Sequence, residues 1–516
     1  MHLFTTTAGL RCYLDRYRPG KEVALVPTMG ALHPGHFSLI ERARRENAIV
    51  IVSIFVNPLQ FSPTEDFQQY PRQLEQDRQR CEQVGVDVIF APTAVELYGN
   101  RLLTSDPSTQ LTQVMPPATM TNVLCGRSRP GHFQGVATVV TKLLNLVQPE
   151  RAYFGQKDAQ QLAIIQRLVA DLNLPVTIVP CPIVREESGL AYSSRNQYLT
   201  ESQKAQAPVL YRALQQGQNA FHGGERDRTI LIETVKSELA SVRDIQVEYV
   251  ELVHPTTLMP LDQVEDKGLL AIAVRFGSTR LIDNIVLQYR QPIVAIDGPA
   301  GAGKSTVTRL VAHQLGLMHL DTGAMYRAVT WRVVQAGIDW DDEPAIAELV
   351  SQCEISLSPS GSEDEAVRVW IDGEDVTQAI RSLNVTSHVS AIAALPTVRR
   401  ELVKQQQRWG CKGGVVAEGR DIGTYVFPDA ELKIFLTASV QERARRRQQD
   451  LKDQNQGDVS LEQLEQDIEK RDYRDSTRAL APLRKAADAI EINTDGLTIP
   501  EVTERIVTLY KQKLFS

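Results

Sequence analysis

Cysteine is scarce in this sequence. Cys12, Cys81, Cys125, Cys181, Cys353 and Cys411 form no CxxC pair and have no histidine near enough to complete a zinc set. That excludes a disulfide scaffold or a zinc finger and predicts free thiols in a reducing cytoplasm. Long apolar runs are missing as well: no stretch approaches the roughly 18 residues that a membrane span needs. The opening residues Met1 to Thr7 lack the basic and then apolar layout of a secretion signal, so the expectation is a soluble, cytoplasmic chain. An excess of positive charge is also absent. With 56 Lys and Arg against 63 Asp and Glu, the net charge of −7 argues against wrapping duplex nucleic acid, although local clusters can still hold small anions. No repeat with a period of about 20 to 50 residues is visible.

What is present describes a globular protein of several parts. Hydrophobic residues make up 42% and charged residues 23%, and 516 residues at about 150 per domain predict three or four folding units. From Val23 onward, short apolar runs alternate with amphipathic stretches. Val23–Val26, Ile49–Val56, Val86–Phe90, Ala152–Phe154 and Val176–Val179 read as strands; Phe37–Arg45, Asp66–Val84 and Ala159–Asp171 read as helices. This βαβα order predicts a parallel sheet covered on both faces, with ligands at the carboxyl ends of its strands. After Pro180 a polar loop, a long helical stretch and the short strands Val247–Val253, Leu269–Val274 and Thr279–Asp283 predict a smaller lobe. A new βα series starts at Ile293–Ile296, so the expected parts are 1–287 (lobes 1–180 and 181–287), a linker at 288–291, and 292–516.

The strand Pro292–Asp297 runs into Gly298-Pro-Ala-Gly301-Ala-Gly303-Lys304-Ser305-Thr306 and then a helical Val307–Leu315, the strand, loop and helix context of a P-loop. Its glycines let backbone N–H groups close around phosphate oxygens at a helix N-terminus. Lys304 is expected on the β and γ phosphates, and Ser305 is the expected Mg²⁺ ligand through that phosphate-bound ion. A P-loop by itself leaves ATPases, GTPases and small-molecule kinases open. Three later segments narrow the choice: Asp321-Thr-Gly-Ala-Met-Tyr-Arg327, Glu418-Gly-Arg-Asp421, and Arg471-Asp-Tyr-Arg-Asp-Ser-Thr-Arg478. Several arginines converging on one pocket suit two phosphorylated substrates whose like charges must be neutralised.

These motifs resemble those of bacterial cytidylate kinases over nearly all of 292–516, which implies a P-loop nucleoside-monophosphate kinase α/β domain with a parallel sheet. By that resemblance Gly298, Gly301, Gly303, Lys304, Ser305 and Thr306 hold ATP, with Arg443 and Arg446 in a lid. Thr322, Tyr326, Arg327, Ser390, Arg399, Arg420, Asp421, Arg471, Asp475 and Arg478 are implied at the CMP or dCMP site. The alternative reading of the Glu442–Arg447 run is a solvated helix face.

In the first half, the strand Ala24–Val26 ends in Pro27-Thr-Met29-Gly30-Ala-Leu-His33-Pro-Gly-His36, an HxGH turn before a helix. Two imidazoles and free N–H groups at a helix N-terminus can hold phosphate oxygens as charge builds on them. Gly155-Gln156-Lys157-Asp158 follows the strand Ala152–Phe154, and Tyr192-Ser193-Ser194-Arg195-Asn196 ends the polar loop, where it could fold over a leaving pyrophosphate. With Ser53–Phe61 and Ser128-Arg-Pro-Gly-His-Phe133, the set resembles pantothenate synthetases, the pantoate–β-alanine ligases, across 1–287.

That resemblance implies a Rossmann-like nucleotidylyltransferase fold, ATP as co-substrate, and two steps through pantoyl adenylate, with AMP and pyrophosphate released. His33 and His36 would stabilise the α-phosphate or protonate it, Lys157 would steady the transferring group, and Arg195 would join them. Met29, Gly30, Gly155, Gln156, Asp158, Val184, Tyr192, Ser193 and Ser194 complete the implied ATP contacts; Gln60 and Gln161 are the implied pantoate and β-alanine pair. Asp158 reads equally as a Mg²⁺ or ribose partner or as half of a local ion pair, and Tyr192 stands where the resemblance leads us to expect an aliphatic residue or Met. The expected partners are small-molecule substrates, without nucleic acid or membrane, and two copies pairing through the first half. A nucleotide sensor, or a kinase for another nucleoside monophosphate, is the rival reading.

Overall fold

A computed structural model describes residues 1–62, 67–100, 111–358, 367–453, 459–478 and 481–515. The chain forms two compact units, Met1–Tyr289 and Arg290–Ser516. Among the described residues no helix is long and apolar enough to cross a membrane, and all six cysteines are free thiols.

The first unit is built on six strands: β1 (His2–Phe4), β2 (Val23–Thr28), β3 (Ile49–Ile54), β4 (Val88–Phe90), β5 (Arg151–Gly155) and β6 (Thr177–Cys181). They pair in parallel in the order β1-β4-β3-β2-β5-β6. Alternation along each strand supplies both faces. Val23, Leu25, Ile49 and Ile51 pack with Leu10 and Leu14 of helix Thr7–Tyr17 and with Val136, Val140 and Leu143 of helix His132–Val147. Ala24, Val26, Val50 and Val52 pack on the opposite side with Leu39, Ile40 and Ala43 of helix Pro34–Glu46. Continuous apolar strands are what a sheet buried on both faces requires.

The helix expected over 66–84 is shorter: it runs Leu74–Gln83, and Asp66 lies outside the described residues. Pro71 accounts for the late start, since its ring removes a donor and pushes the preceding residue out of the helical region.

The strand order reverses between β2 and β5. These two pair only at Ala24↔Arg151 and Leu25↔Ala152, although β2 continues to Thr28 and β5 to Gly155. The strands therefore part before their carboxyl ends, and the crevice between those ends is where an open α/β sheet binds ligands. The smaller lobe is a meander of β7 (Ile245–Val253), β8 (Lys267–Phe276) and β9 (Thr279–Gln288), backed by helices Val209–His222 and Arg228–Leu239. It reaches the first lobe through Asn284, whose Nδ2 donates to the carbonyls of Gln156 (3.0 Å) and Lys157 (2.9 Å).

In the second unit β10 (Ile293–Asp297), β11 (Met318–Asp321), β15 (Val415–Gly419), β16 (Leu432–Thr437) and β17 (Ile490–Asn493) pair in parallel in the order β11-β15-β10-β16-β17. A small antiparallel sheet of β12 (Ile355–Ser358), β13 (Arg368–Ile371) and β14 (Glu374–Asp375) stands apart from it. Alternating residues again feed two cores: Ile293, Ala295, Leu320, Val415 and Ala417 on one face, and Val294, Ile296, Val416 and Ile434 on the other.

Candidate active sites

The first site is set by how the chain leaves β2. Gly30 (φ +83°) and Ala31 (φ 51°) turn it in the left-handed region, and a Cβ on Gly30 would lie 3.0 Å from Asp77 Oδ2. Asp77, 1% exposed, receives the N–H groups of Ala31 (2.9 Å) and Leu32 (2.8 Å), while Arg80 donates to the Leu32 carbonyl at 2.9 Å. Burial raises the Asp77 carboxyl despite these donors. Helix Leu74–Gln83 thereby fixes the turn that delivers His33 to the N-cap of helix Pro34–Glu46, with Pro34 as its first residue.

His36, three residues on, accepts the His33 N–H at Nδ1 (3.3 Å), and the two rings lie 4.0 Å apart. A neutral His36 with Nδ1 accepting carries its proton on Nε2. Both imidazoles are held neutral. Burial, then the Lys157 charge, pulls His33 down to about 4. Burial, then His33, then Lys157 lowers His36. The Nδ1 of His33 is buried and has no hydrogen-bond partner among the described residues.

Lys157 comes from the turn Gln156–Asp158 that follows β5, across the crevice. Asn284 clamps that turn from the smaller lobe. Gly155 and Gln156 are half-buried and Asp158 is exposed. Ser193 caps the short helix Ser194–Tyr198, its Oγ accepting the Arg195 N–H at 3.3 Å, and Val184 O receives the Tyr192 N–H at 3.0 Å. The Tyr192 ring stacks at 6.3 Å from His33, so the residue that departs from expectation forms a wall beside the histidine pair.

Lys157, Gln161, Ser193 and Arg195 line one cavity of ≈ 70 Å³ together with Arg129 and His132. Gln60 is buried: its Nε2 donates to Met29 Sδ at 2.8 Å, its Oε1 accepts from Asn57 at 3.2 Å, and its carbonyl lies 2.7 Å from His132 Nδ1. Asp77, Asn57, Arg129 and His132 adjoin these candidate residues, and the sequence alone assigns them no individual role. The Ser128–Phe133 motif was the available signal for the last two, whereas nothing local marks Asp77.

In the second unit, Gly298 (φ +152°) passes so close to β16 that a Cβ would meet Leu436 O at 2.1 Å, and Gly301 and Gly303 also have positive φ. Helix Lys304–Leu315 begins directly after Gly303. Lys304 is expected on phosphates; here its buried Nζ donates to the loop's own carbonyls, Gly298 O and Pro299 O, both at 2.7 Å. Burial, then Arg420, pulls its ammonium well below the usual lysine range. Ser305 Oγ donates to Glu418 Oε2 at 2.7 Å, and His319 Nε2 lies 3.0 Å from Glu418 Oε1. Thr306 is half-buried beside them.

An open cleft of ≈ 1780 Å³ joins this loop to every residue expected at the acceptor site. Thr322 and Tyr326 are buried on helix Thr322–Ala336; Thr322 donates to Glu418 O at 2.7 Å, and Arg327 pairs with Asp321 at 3.1 Å. Arg399, 1% exposed, is bonded to Asp421 and stands 5.5 Å over the Tyr326 ring. Burial pushes the Tyr326 hydroxyl up to about 12. Arg478 meets the other Asp421 oxygen at 3.4 Å, and Arg420 pairs with Asp475 at 3.0 Å. Ser390 is exposed on helix Leu383–Ile392, and burial lowers Arg471 on helix Leu461–Thr477.

The expected lid arginines are committed to protein partners. Arg443 makes two bonds to Asp472 (3.1 and 2.7 Å) and one to Ala300 O (3.2 Å), and Arg446 binds Thr494 Oγ1 (3.0 Å) and O (2.8 Å). Arg443 therefore ties the P-loop to two helices, and the alternative of a wholly solvated run does not describe it.

The pantoate-beta-alanine ligase family model matches residues 2–286, and the cytidylate kinase family model matches residues 294–512. Bifunctional pantoate ligase/cytidylate kinases of Trichormus variabilis and Trichodesmium erythraeum are 63% and 58% identical to the chain. These alignments cover 100% and 99% of this chain and 99% and 98% of theirs. The crystal structure of pantothenate synthetase from Thermus thermophilus is 46% identical, with a TM-score of 0.51, covering 55% of this chain and 99% of that one.

Proposed function

The chain belongs to the bifunctional pantoate ligase/cytidylate kinase family, and on that premise we propose how its residues divide two ATP-dependent reactions. It is a pantoate–β-alanine ligase and a cytidylate kinase, and both activities use ATP. The observation that carries the division is that each unit has its own helix N-terminus set for phosphate: His33 and His36 opposite Lys157 in one, Gly298–Ser305 in the other.

In the ligase, the pantoate carboxylate attacks the α-phosphorus of ATP and pyrophosphate leaves. The β-alanine amine then attacks the acyl carbon of pantoyl adenylate and AMP leaves with the bonding electrons. Neither step needs a protein nucleophile, so catalysis rests on positioning and charge neutralisation. Nε2–H of His36 donates to an α-phosphate oxygen, Lys157 neutralises the same group, and Ser193 with Arg195 receives the departing pyrophosphate. Gln60 and Gln161 hold pantoate through neutral amides that both donate and accept. The Met29–Gly30 backbone, Gly155, Gln156, Val184 and Tyr192 form the nucleotide side.

In the kinase, Lys304 turns from the loop carbonyls to the β and γ phosphates, and the acceptor is CMP or dCMP held by Arg399, Arg420, Asp421 and Arg478. Ser305 and Glu418, whose oxygens lie 2.7 Å apart, would hold Mg²⁺, which would supply positive charge to offset that of the donor phosphates. Six free thiols support a cytoplasmic setting. Pairing of two copies through the first unit rests on the resemblance, and sedimentation of the full chain tests it.

The direct experiment gives the full chain ATP and Mg²⁺. Pantoate with β-alanine should release AMP and pyrophosphate, and CMP should release ADP. Pantoate with hydroxylamine instead of β-alanine should yield the hydroxamate; its absence would remove the adenylate.

A further inference from the structure

Asp297 is the last residue of β10 and the residue before Gly298; its charge is felt by Lys304 of the phosphate loop, yet its hydrogen bonds run elsewhere. It is 4% exposed and reaches toward the neighbouring strand end. Its Oδ1 accepts the Ile422 N–H at 2.8 Å and its Oδ2 the Gly423 N–H at 2.7 Å. In the register of β10 on β15, Asp297 lies opposite Gly419, so the carboxylate spans from the end of one strand to the turn that leaves the other. Arg420 and Asp421 sit within that turn.

The packing leaves little slack. A Cβ on Gly423 would lie 3.2 Å from Lys433 Cδ and 3.4 Å from Asp297 Oδ2. Lys433 holds the far end of the same segment by donating to Pro428 O at 2.6 Å. Burial pushes the Asp297 carboxyl up to about 6, against the pull of the two N–H donors, so it is ionised at neutral pH. Only a carboxylate accepts two N–H groups with its two oxygens; an amide of the same shape turns an NH₂ toward one of them.

We propose that Asp297 is a positioning residue for phosphoryl transfer: from the strand that carries the donor loop, it sets the place of the Arg420–Asp421 arm that meets the acceptor. The two substrates of an in-line transfer must be fixed relative to one another, and this side chain joins the backbone that holds one to the backbone that holds the other. The proposal rests on the cytidylate kinase reading of the second unit.

The test compares the full-length chain with Asp297→Asn in steady-state ADP release, with AMP release by the ligase as an internal control. We expect the KM for CMP to rise about 10-fold and kcat to fall about 10-fold, with the KM for ATP within about 2-fold. AMP release should be unchanged. Equal changes in both KM values, or none, would overturn the proposal. If the wild-type chain releases no CMP-dependent ADP, the kinase reading fails instead.

Hydrogen exchange supplies a second measurement, and its wild-type arm does not need the variant to fold. In the wild-type chain the Ile422 and Gly423 amides should exchange as slowly as those of β15, and in Asp297→Asn they should lose that protection while β10 keeps its own. Rapid exchange at both amides in the wild-type chain would overturn the proposal.

Discussion

Ser305 Oγ donates to Glu418 Oε2 at 2.7 Å, which joins the hydroxyl after the P-loop lysine to a buried carboxylate on β15. His319 Nε2, 3.0 Å from Glu418 Oε1, holds the carboxylate from a second side, and Thr322 Oγ1 donates to the Glu418 backbone carbonyl at 2.7 Å. On the proposal that Ser305 and Glu418 hold Mg²⁺, a serine and an acid so placed would supply two hard oxygens. Glu418→Gln keeps the shape and removes the charge. CMP-dependent ADP release should fall by about 100-fold or more and require higher Mg²⁺, with AMP release unaffected. Titrating Mg²⁺ in both assays checks it.

Asp77 plays a comparable part in the first unit, since it holds two successive N–H groups of the turn before His33. Asp77→Asn leaves one of those donors facing an NH₂ group. The ligase unit should lose about 1–3 kcal/mol of unfolding free energy, the cost of a buried unsatisfied donor. AMP release should fall about 10-fold as the histidine pair loses its register, since small misplacements carry penalties of this order or more. ADP release should not change. Denaturant unfolding and the two product assays measure each part.

The parts of this picture that sequence reveals are those written in local pattern. Alternating apolar residues in Val23–Val26 and Ile49–Val52 feed both faces of the sheet, and glycines at 298, 301 and 303 mark a loop that only positive φ can close. What escapes is set by tertiary contact. Asp77 looks like any acid on a polar helix; its role exists only because that helix crosses the turn after β2. Arg443 looks like one of several lid arginines, and only the fold shows its guanidinium tied to Asp472 and Ala300. Asp297 is legible as a strand end but not as a tether, because its partners lie 125 and 126 residues further along the chain.

The histidine pair predicts a pH dependence of stability. His33 titrates at about 4 in the folded chain against 6.5 when unfolded, and His36 is shifted the same way, in both cases chiefly by burial. Between these values the unfolded chain binds more protons, so acidification favours unfolding. The contribution is fully present above pH 6.5 and is lost as pH falls toward 4. The melting temperature of the ligase unit should therefore decline from pH 6.5 to 5, and His36→Gln should make that decline shallower. AMP release should show no inflection from these imidazoles between about pH 6 and 8, because both stay neutral there. An inflection near pH 6.5 that His33→Gln removed would contradict the neutral assignment.

The two activities should be separable by single substitutions, since each unit has its own core clusters and its own helix start at the proposed phosphate site. Lys304→Ala removes the only charge within the P-loop segment 298–306, and ADP release should fall by about 1000-fold. AMP release should stay within about 2-fold, because Lys304 and the carbonyls it bonds all belong to the second unit. His36→Ala should do the reverse: it deletes an imidazole donor at the ligase helix start while leaving Lys304 on the carbonyls of Gly298 and Pro299. Measuring both products for both variants and their double mutant gives a full cycle. A double mutant whose losses match the two single ones shows independent sites, and a cross-effect above about 5-fold would mean that one unit senses the state of the other.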